Sequence, residues 1–267
     1  MTRFRPEFVR LWHDAPVSLP RLLLVHGSVV NGEATWAAQL PLGERFELVV
    51  PNRRGFPPGP DVESVDFEDE AVWLEQLVEP GTHLVGHSYG GVIALLAAAR
   101  YSGQIDSLTV IEPPCLRVAR GNPVVDAYEA SSEKLWQGVR DPETFLRAFL
   151  DGVGLPAPPG RFSPALLQGA RTLLVERHPW EAEIPLDELA AAPFSKLVVS
   201  GAHSEPFDIV CDVLESRLGA ERAVLPGAGH SVQRLGEPFN DLLAAFVTRS
   251  CAADRRPPAG ARSDSRP

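Results

Sequence analysis

The chain is poor in cysteine and lacks long apolar runs. Its three cysteines, Cys115, Cys211 and Cys251, are spread over 267 residues, and this spacing fits neither a disulfide framework nor a metal motif. A reducing compartment, the cytoplasm, is therefore expected. The longest apolar run, residues 92–99, is too short to span a membrane, and the first residues lack the apolar region of a signal peptide. We expect no membrane association.

Positive charge is also scarce. Lysine and arginine number 25 against 35 aspartate and glutamate residues, which gives a net charge of −10. Nucleic-acid-binding proteins carry basic surface stripes, and because this chain shows none, nucleic acid is not expected as a partner. The sequence has no evident internal repeat and nothing that indicates an oligomeric state.

The chain is long enough for one large domain, and strands and helices alternate in its first part and again near its end. Predicted strands are residues 8–13, 21–25, 46–50, 84–87, 107–112, 196–200 and 222–225. Predicted helices are residues 36–40, 66–78 (with Asp66 as N-cap), 90–101, 207–218 and 238–249. This alternation predicts an α/β fold with a doubly wound, mostly parallel sheet.

The alternation stops after Glu112, where two prolines follow. Up to about residue 190 the pattern is helical, with patches at 124–137, 142–150 and 164–177 that are separated by joints rich in proline and glycine. We predict a helical cap over 115–190, inserted after the strand that ends at Glu112. The core would then consist of residues 1–114 and 191–249, and residues 250–267 would form a disordered tail.

The most informative motif is G-x-S-x-G at residues 86–90, between a strand-like run and an almost wholly apolar helix. The serine of this motif stands at a sharp strand-to-helix turn, and its flanking positions must be small because neighbouring turns come close. Gly86 and Gly90 meet that demand. Ser88 is therefore a candidate nucleophile, with the positive end of a helix dipole behind it.

Three further motifs accompany this turn. They are His26-Gly27, Arg53-Arg54-Gly55 and a Gly-x-Gly-His loop at residues 227–230. Together these features resemble the α/β-hydrolase superfamily, in particular its cap-bearing, single-domain serine esterase and haloperoxidase-like branch. The resemblance implies the fold and a catalytic triad, but it does not imply a substrate, because this fold carries many chemistries.

A serine hydroxyl needs a base to become a nucleophile, and imidazole suits that role near neutral pH. His230 is the candidate among seven histidines, because it lies in the loop after the last strand, where the resembling family has its base. His26 belongs to the His-Gly turn and is expected to be structural. His203 either lines the site or fills its loop.

The acid that orients the histidine is less clearly marked. Most members of the resembling family place an aspartate shortly after the penultimate strand, but that position is close to Ser204 here. The turn at residues 86–90 is called the elbow. A second placement of the acid in the family is the end of the strand that follows the elbow and its helix. Here Glu112 follows apolar residues directly and is costly to bury unless it is paired. We favour Glu112, with Glu205 and Asp208 as alternatives. The non-catalytic interpretation of Glu112 is an ion pair with an arginine such as Arg53, Arg54 or Arg117.

An oxyanion formed during acyl transfer needs two backbone N–H donors. The resemblance assigns them to Tyr89, which follows the nucleophile, and to Ser28 in the loop after His26-Gly27, with Val29 as the fallback. The Ser28 hydroxyl could add a further hydrogen bond. The resemblance implies no metal and no organic cofactor.

These residues predict a serine hydrolase that cleaves a carboxylic ester-type bond through an acyl-enzyme. The apolar residues of the cap favour a small or medium, mostly apolar substrate. A thioesterase or a cofactor-free haloperoxidase or perhydrolase would use the same triad, and a non-catalytic ligand receptor on a hydrolase fold is the alternative from another class. A dehalogenase or epoxide hydrolase is disfavoured, because the elbow carries serine rather than a carboxylate.

Overall fold

A computed structural model describes residues 9–12, 19–227 and 229–254. In these residues one sheet has the strand order β1-β3-β2-β4-β5-β6-β7. β1 is antiparallel to β3, and the other neighbouring pairs are parallel. The strands are β1 (Val9–Trp12), β2 (Arg21–Val25), β3 (Glu47–Pro51), β4 (Thr82–His87), β5 (Ile105–Ile111), β6 (Ser195–Ser200) and β7 (Glu221–Val224).

Helices cover both faces of this sheet. Alternate residues of β2 point to opposite faces, so Leu23 belongs to one buried apolar cluster and Leu24 to a second. Within the described residues, no helix combines the length and the apolar character needed to cross a membrane. The α-helices are α1 (Gly32–Trp36), α2 (Phe67–Trp73), α3 (Tyr89–Arg100), α4 (Pro123–Gly138), α5 (Pro142–Gly152), α6 (Pro164–Val175), α7 (Leu186–Ala191), α8 (Glu205–Leu218) and α9 (Glu237–Asp254).

The predicted α/β fold with a helical cap after Glu112 is confirmed. Several helix boundaries differ from the prediction. The helix expected over 36–40 lies earlier, as α1, and a 3₁₀ segment (Ala37–Glu44) follows it. α3 begins at Tyr89 rather than Gly90, and α8 begins at Glu205 rather than at residue 207. The helix expected over 66–78 ends as α-helix at Trp73 and continues as one 3₁₀ turn. Asp66 caps α2 as predicted, because its side chain accepts a hydrogen bond from the Glu68 amide.

The prediction of a disordered tail from residue 250 is wrong for its first residues. α9 continues to Asp254, and Ser250 on it is buried with its hydroxyl hydrogen-bonded to the Phe246 carbonyl. Cys251 packs against the apolar cluster around Leu24, and this contact gives the last turns a buried side that the sequence pattern did not reveal. Residues 255–267 lie outside the described residues, as do residues 8 and 13 of the predicted first strand.

The three longer cap helices share one way of starting. Asn122, Asp141 and Ser163 each accept a hydrogen bond from a backbone amide in the first turn, and each is followed by a proline at the first helical position. This pairing is favourable because the side chain satisfies an orphan amide while proline has none to satisfy. Proline therefore initiates the cap helices, and the proline-rich joints of the sequence coincide with their starts.

The parallel register places the ends of the central strands at one edge. Gly86 of β4 pairs with Val25 at the end of β2 and with Val110 near the end of β5. The loops that follow these strands therefore emerge side by side. This is the edge at which open α/β sheets bind ligands.

Candidate active site

Ser88 stands at a strained corner between β4 and α3. Its φ of 54° lies in the left-handed region that few residues other than glycine adopt. A Cβ at Gly86 would lie 2.3 Å from the Gly90 carbonyl oxygen, and a Cβ at Gly90 would lie 2.4 Å from the Val25 carbonyl oxygen. Glycine is therefore required at both positions, and the sharp corner that it permits brings Ser88 Oγ to His230.

Backbone strain is concentrated at this edge of the sheet. Among the described residues, the non-glycine residues with positive φ are Val29, Ser88, Glu112 and Ala202. Each follows the carboxyl end of a different strand: β2, β4, β5 and β6. Such conformations cost about 1–3 kcal/mol each and persist where surrounding contacts hold them, a pattern typical of functional sites.

Three side chains from separate loops form a continuous line. His230 Nε2 lies 2.9 Å from Ser88 Oγ, and His230 Nδ1 lies 2.8 Å from Glu112 Oε2. An ionised carboxylate can only accept hydrogen bonds, so Nδ1 carries the proton and Nε2 accepts from the serine hydroxyl. The structure thus brings together the predicted serine, the predicted histidine and the favoured acid.

Glu112 is fully buried, yet its surroundings keep it ionised. Its Oε1 accepts a hydrogen bond of 2.7 Å from the Gly201 amide, and His203 Nδ1 lies 3.2 Å from the same oxygen. Burial alone would raise the pKa of the Glu112 carboxyl, but the contacts with His203, His230 and Gly201 outweigh burial and lower the pKa to about 2. The arginine pair of the non-catalytic interpretation is not formed with Arg53, which contacts other carboxylates.

Glu112, His203 and His230 each bring one potential ligand atom within 4.8 Å of the others. This closeness alone would suit a cation as well as a hydrogen-bonded group. Both Nδ1 atoms, however, face carboxylate oxygens, which is the arrangement of proton donors around an acceptor. We interpret the group as a proton-sharing cluster, and the absence of a metal requirement stays a prediction.

The two alternative acids lie elsewhere. Glu205 is the exposed first residue of α8. Asp208 accepts a hydrogen bond of 2.5 Å from Ser200 Oγ and lies 3.4 Å from Arg222 Nη2. Among the described residues, neither carboxylate has a hydrogen bond to His230, so Glu112 has the geometry of the acid.

The loop after β2 lies against the elbow. A Cβ at Gly27 would come within 2.9 Å of the Ser88 Cβ, so Ser28 follows directly on a close approach to Ser88. The Ser28 hydroxyl donates to Glu176 Oε2 at 2.5 Å, which directs it to the cap. The amide of Tyr89 is the first of α3 and has no partner within the helix. The assignment of the Ser28 and Tyr89 amides as oxyanion donors stays a prediction.

Arg53 braces this loop from beneath. Its guanidinium is buried between Glu70 and Glu176, at 2.8 and 2.6 Å, and also donates to the Gly27 carbonyl at 3.0 Å. Its backbone amide donates to His26 Nε2 at 2.9 Å. Burial, followed by the charge of Arg53, lowers the pKa of His26 well below its ordinary value, so His26 is a neutral structural link.

Two residues of the site were not assigned from the sequence. Glu176 follows the apolar end of α6 directly, which is the same signal that drew attention to Glu112, but no motif accompanies it. His203 was left between lining the site and filling its loop, and the structure places it on the acid. Both contacts join distant parts of the chain, which sequence spacing alone does not reveal.

Two cavities meet at Ser88, Ser28 and His230. The first, of about 250 Å³, lies under the cap and is mostly apolar, and the second, of about 370 Å³, opens toward the more polar Gln233 and Arg234. The aromatic side chains that line the first cavity include Tyr89, Trp136, Phe149 and Trp180.

A model of the alpha/beta hydrolase family matches residues 22–243, and no curated protein matches the sequence of the chain. Similar solved structures include a carboxylesterase of the ammonia-oxidizing thaumarchaeon Nitrososphaera gargenis, at 17% identity and a TM-score of 0.67, which covers 93% of this chain and 98% of that one. MenH from S. aureus has 15% identity, a TM-score of 0.68 and coverage of 91% and 99%. A thermophilic esterase from Thermogutta terrifontis has 21% identity and a TM-score of 0.60, and the match covers 91% of this chain and 93% of that one. At such identities these likenesses concern the fold, while the family match covers most of the chain: the protein belongs to the alpha/beta hydrolase family.

Proposed function

We propose that the protein is a serine hydrolase of carboxylic esters that works through an acyl-enzyme on Ser88. The observation that carries this proposal is the line from Ser88 Oγ through His230 to Glu112, with distances of 2.9 and 2.8 Å. Each group has the partner that its role requires: the hydroxyl has a base, and the base has a buried, ionised acceptor on its far side.

In the first step His230 Nε2 takes the hydroxyl proton while Ser88 Oγ attacks the ester carbonyl carbon. The imidazolium that forms is stabilised by Glu112. The N–H groups of Tyr89 and Ser28 hold the oxyanion, and each such donor contributes about 3 kcal/mol to the stability of the transition state. The carbon–oxygen bond to the leaving alcohol then breaks, and the alcohol takes the proton from His230.

In the second step water enters, gives its proton to His230 and attacks the acyl carbon. Collapse of the second oxyanion breaks the bond to Ser88 Oγ, which recovers its proton from His230. The product is a carboxylic acid. Atoms and charges balance with the ester, one water molecule, Ser88 and His230.

The two cavities support a binding orientation in which the acyl group and the alcohol of the ester occupy different cavities. The acyl group of a small or medium apolar ester fits the cavity of about 250 Å³ beneath Trp136 and Trp180, and the leaving alcohol departs through the wider cavity toward Arg234. Wide, mostly apolar pockets with a few polar groups at the reacting end are typical of small-molecule sites. The proposed substrate is therefore an ester of a small molecule.

A series of p-nitrophenyl esters with acyl chains of increasing length tests this function. We expect turnover that is highest for short to medium chains, preceded by a burst of about one equivalent of p-nitrophenol because the acyl-enzyme accumulates. Ser88→Ala serves as the control and should show neither burst nor turnover. Turnover that persists in Ser88→Ala, or its absence from the wild-type protein with every ester, would contradict the proposal.

A further inference from the structure

His203 approaches the Glu112 carboxylate from the side opposite His230. His203 Nδ1 lies 3.2 Å from Oε1, whereas His230 Nδ1 lies 2.8 Å from Oε2, and the two ring centroids are 5.8 Å apart. Both ring nitrogens of His203 are buried, and neither makes a well-aligned hydrogen bond. One carboxylate therefore serves two imidazoles, only one of which touches the serine.

The groups around His203 come from several elements. His230 and Glu112 face it from the loops after β7 and β5. Asp208 faces it from α8, and Phe207 on the same helix stacks on its ring at 5.8 Å. From the cap, the carbonyl of Val153 and the backbone of Gly154 lie against the ring.

These surroundings favour a positive charge on His203. The Glu112 carboxylate raises the pKa of His203 above its ordinary value, although burial acts in the opposite direction, and Asp208 and the Val153 carbonyl add to the effect of Glu112. Asp208 is itself shared with Arg222 at 3.4 Å, so Glu112 is the main partner. As the pH falls, His203 therefore gains its proton readily.

We propose that His203 is a positioning residue that acts through Glu112: its imidazolium takes part of the charge of the carboxylate and makes His230 a weaker base. This inference rests on the proposed function, because a weaker base affects turnover only where His230 activates Ser88. A second positive charge near His230 disfavours the imidazolium of His230.

The consequence is measurable at the acidic side of the pH profile. His203→Gln removes the titrating charge and keeps a donor for Glu112, and His203→Phe removes both while retaining a ring against Phe207. In both variants we expect the acid midpoint of kcat/KM to move to higher pH by about half to one unit. A residue that only filled space would lower kcat at every pH without moving the midpoint.

The experiment combines this pH profile with an NMR titration of the His230 ring signal, which does not need turnover. His178→Gln is the matched control, because His178 is a half-buried histidine of the cap whose ion-pair contact is with Glu181 rather than Glu112, and it should leave both midpoints unchanged. Midpoints that stay within about 0.2 units of wild type in both His203 variants overturn the inference. If the His230 signal moves as expected in a protein that hydrolyses no ester, the proposed function fails while the coupling stands.

Discussion

Glu112 shows how much a single buried carboxylate depends on its neighbours. It is held at φ 44°, with no exposed surface, by an amide donor and two imidazoles. Each neighbour favours the ionised form, and in that form the carboxylate fixes the tautomer of His230 with Nε2 free to accept from Ser88. In the proposed mechanism, the position of this carboxylate therefore decides whether Ser88 has a base.

Glu112→Gln tests this directly. A glutamine amide can donate to His230 Nδ1, and the proton then sits on Nε2, where it blocks transfer from the serine. We expect kcat to fall by about 10³–10⁴-fold with little change in the fold. Steady-state kinetics of ester hydrolysis and the circular dichroism spectrum are the measurements.

The matched controls for that substitution are the two other carboxylates. Glu205→Gln and Asp208→Asn make the same chemical change at sites without a hydrogen bond to His230, and both should keep kcat within about threefold of wild type. If Glu112→Gln stays within about tenfold of wild type while either control loses activity, the acid has been misassigned.

At this scale the sequence reveals some residues and hides others. Ser88 is a candidate because its strained turn needs glycine at fixed positions, and His230 because it lies in the loop where the resembling family has its base. Glu112 is favoured by the second acid placement of that family, together with the cost of burying a charge after an apolar strand. Glu176 and His203 act through contacts with Ser28 and Glu112, 148 and 91 positions away along the chain, and such contacts become visible only when the fold joins the strands' ends.

At the scale of elements, Arg53 joins four pieces of the molecule. Its guanidinium contacts Glu70 on α2, Glu176 after α6 and the Gly27 carbonyl after β2, and it lies 4.3 Å from the Tyr89 ring centroid at the start of α3. One buried cation thus holds the loop after β2, the turn between β4 and α3, and the segment after α6 in a fixed relation.

Arg53→Met should therefore destabilise the protein strongly. It leaves Glu70 and Glu176 buried without their counter-charge, and we expect the free energy of unfolding to fall by about 3–5 kcal/mol. Urea denaturation followed by tryptophan fluorescence measures it. Arg171→Ala, which breaks the exposed pair with Asp61, is the control and should change stability by less than about 1 kcal/mol. Equal effects of the two substitutions would refute the bracing role.

The close contact between Gly90 at the start of α3 and the end of β2 leads to a second prediction at this scale. Gly90→Ala places a methyl group 2.4 Å from the carbonyl oxygens of Val25 and His26, so α3 must shift away from β2. We expect a loss of about 1–3 kcal/mol in stability and a large loss of activity, since Ser88 moves with the helix. Gly103→Ala is the control, because nothing lies within 4 Å of its added Cβ, and the melting temperatures of the two variants should differ clearly.

The element pattern itself was largely predictable from the sequence. Apolar runs and helical periodicity locate the strands and the cap helices, and the order of elements predicts the sheet. The end of α9 was missed, because Ser250 and Cys251 look like polar tail residues until Phe246 and the second apolar cluster give them partners. Periodicity detects a stripe of apolar residues and is insensitive to a few small residues that become buried.

At the scale of the whole molecule, buried neutral histidines make stability depend on pH. Burial, and then the charge of the neighbouring His230, lower the pKa of His87 to about 3 from an ordinary 6.5. The unfolded chain therefore binds a proton between these values that the folded protein does not. The contribution to stability is complete above pH 6.5 and is lost progressively as the pH falls toward 3.

His87→Gln should make the protein less sensitive to acid. At pH 5 the titration of His87 lowers the free energy of unfolding by about 2 kcal/mol relative to pH 7, and glutamine removes this loss while it can still donate to the His230 carbonyl. Urea denaturation at pH 5 and pH 7 checks the difference for both proteins. An equal loss of stability in wild type and variant would show that His87 is not the group responsible.

The most direct test of Ser88 as the nucleophile is covalent labelling by a fluorophosphonate, followed by intact mass measurement and peptide mapping. We expect one adduct per wild-type chain, located on Ser88, with none in Ser88→Ala and much slower labelling in His230→Gln and Glu112→Gln. A wild-type protein that stays unlabelled, or an adduct of equal yield in Ser88→Ala, would contradict the role of Ser88.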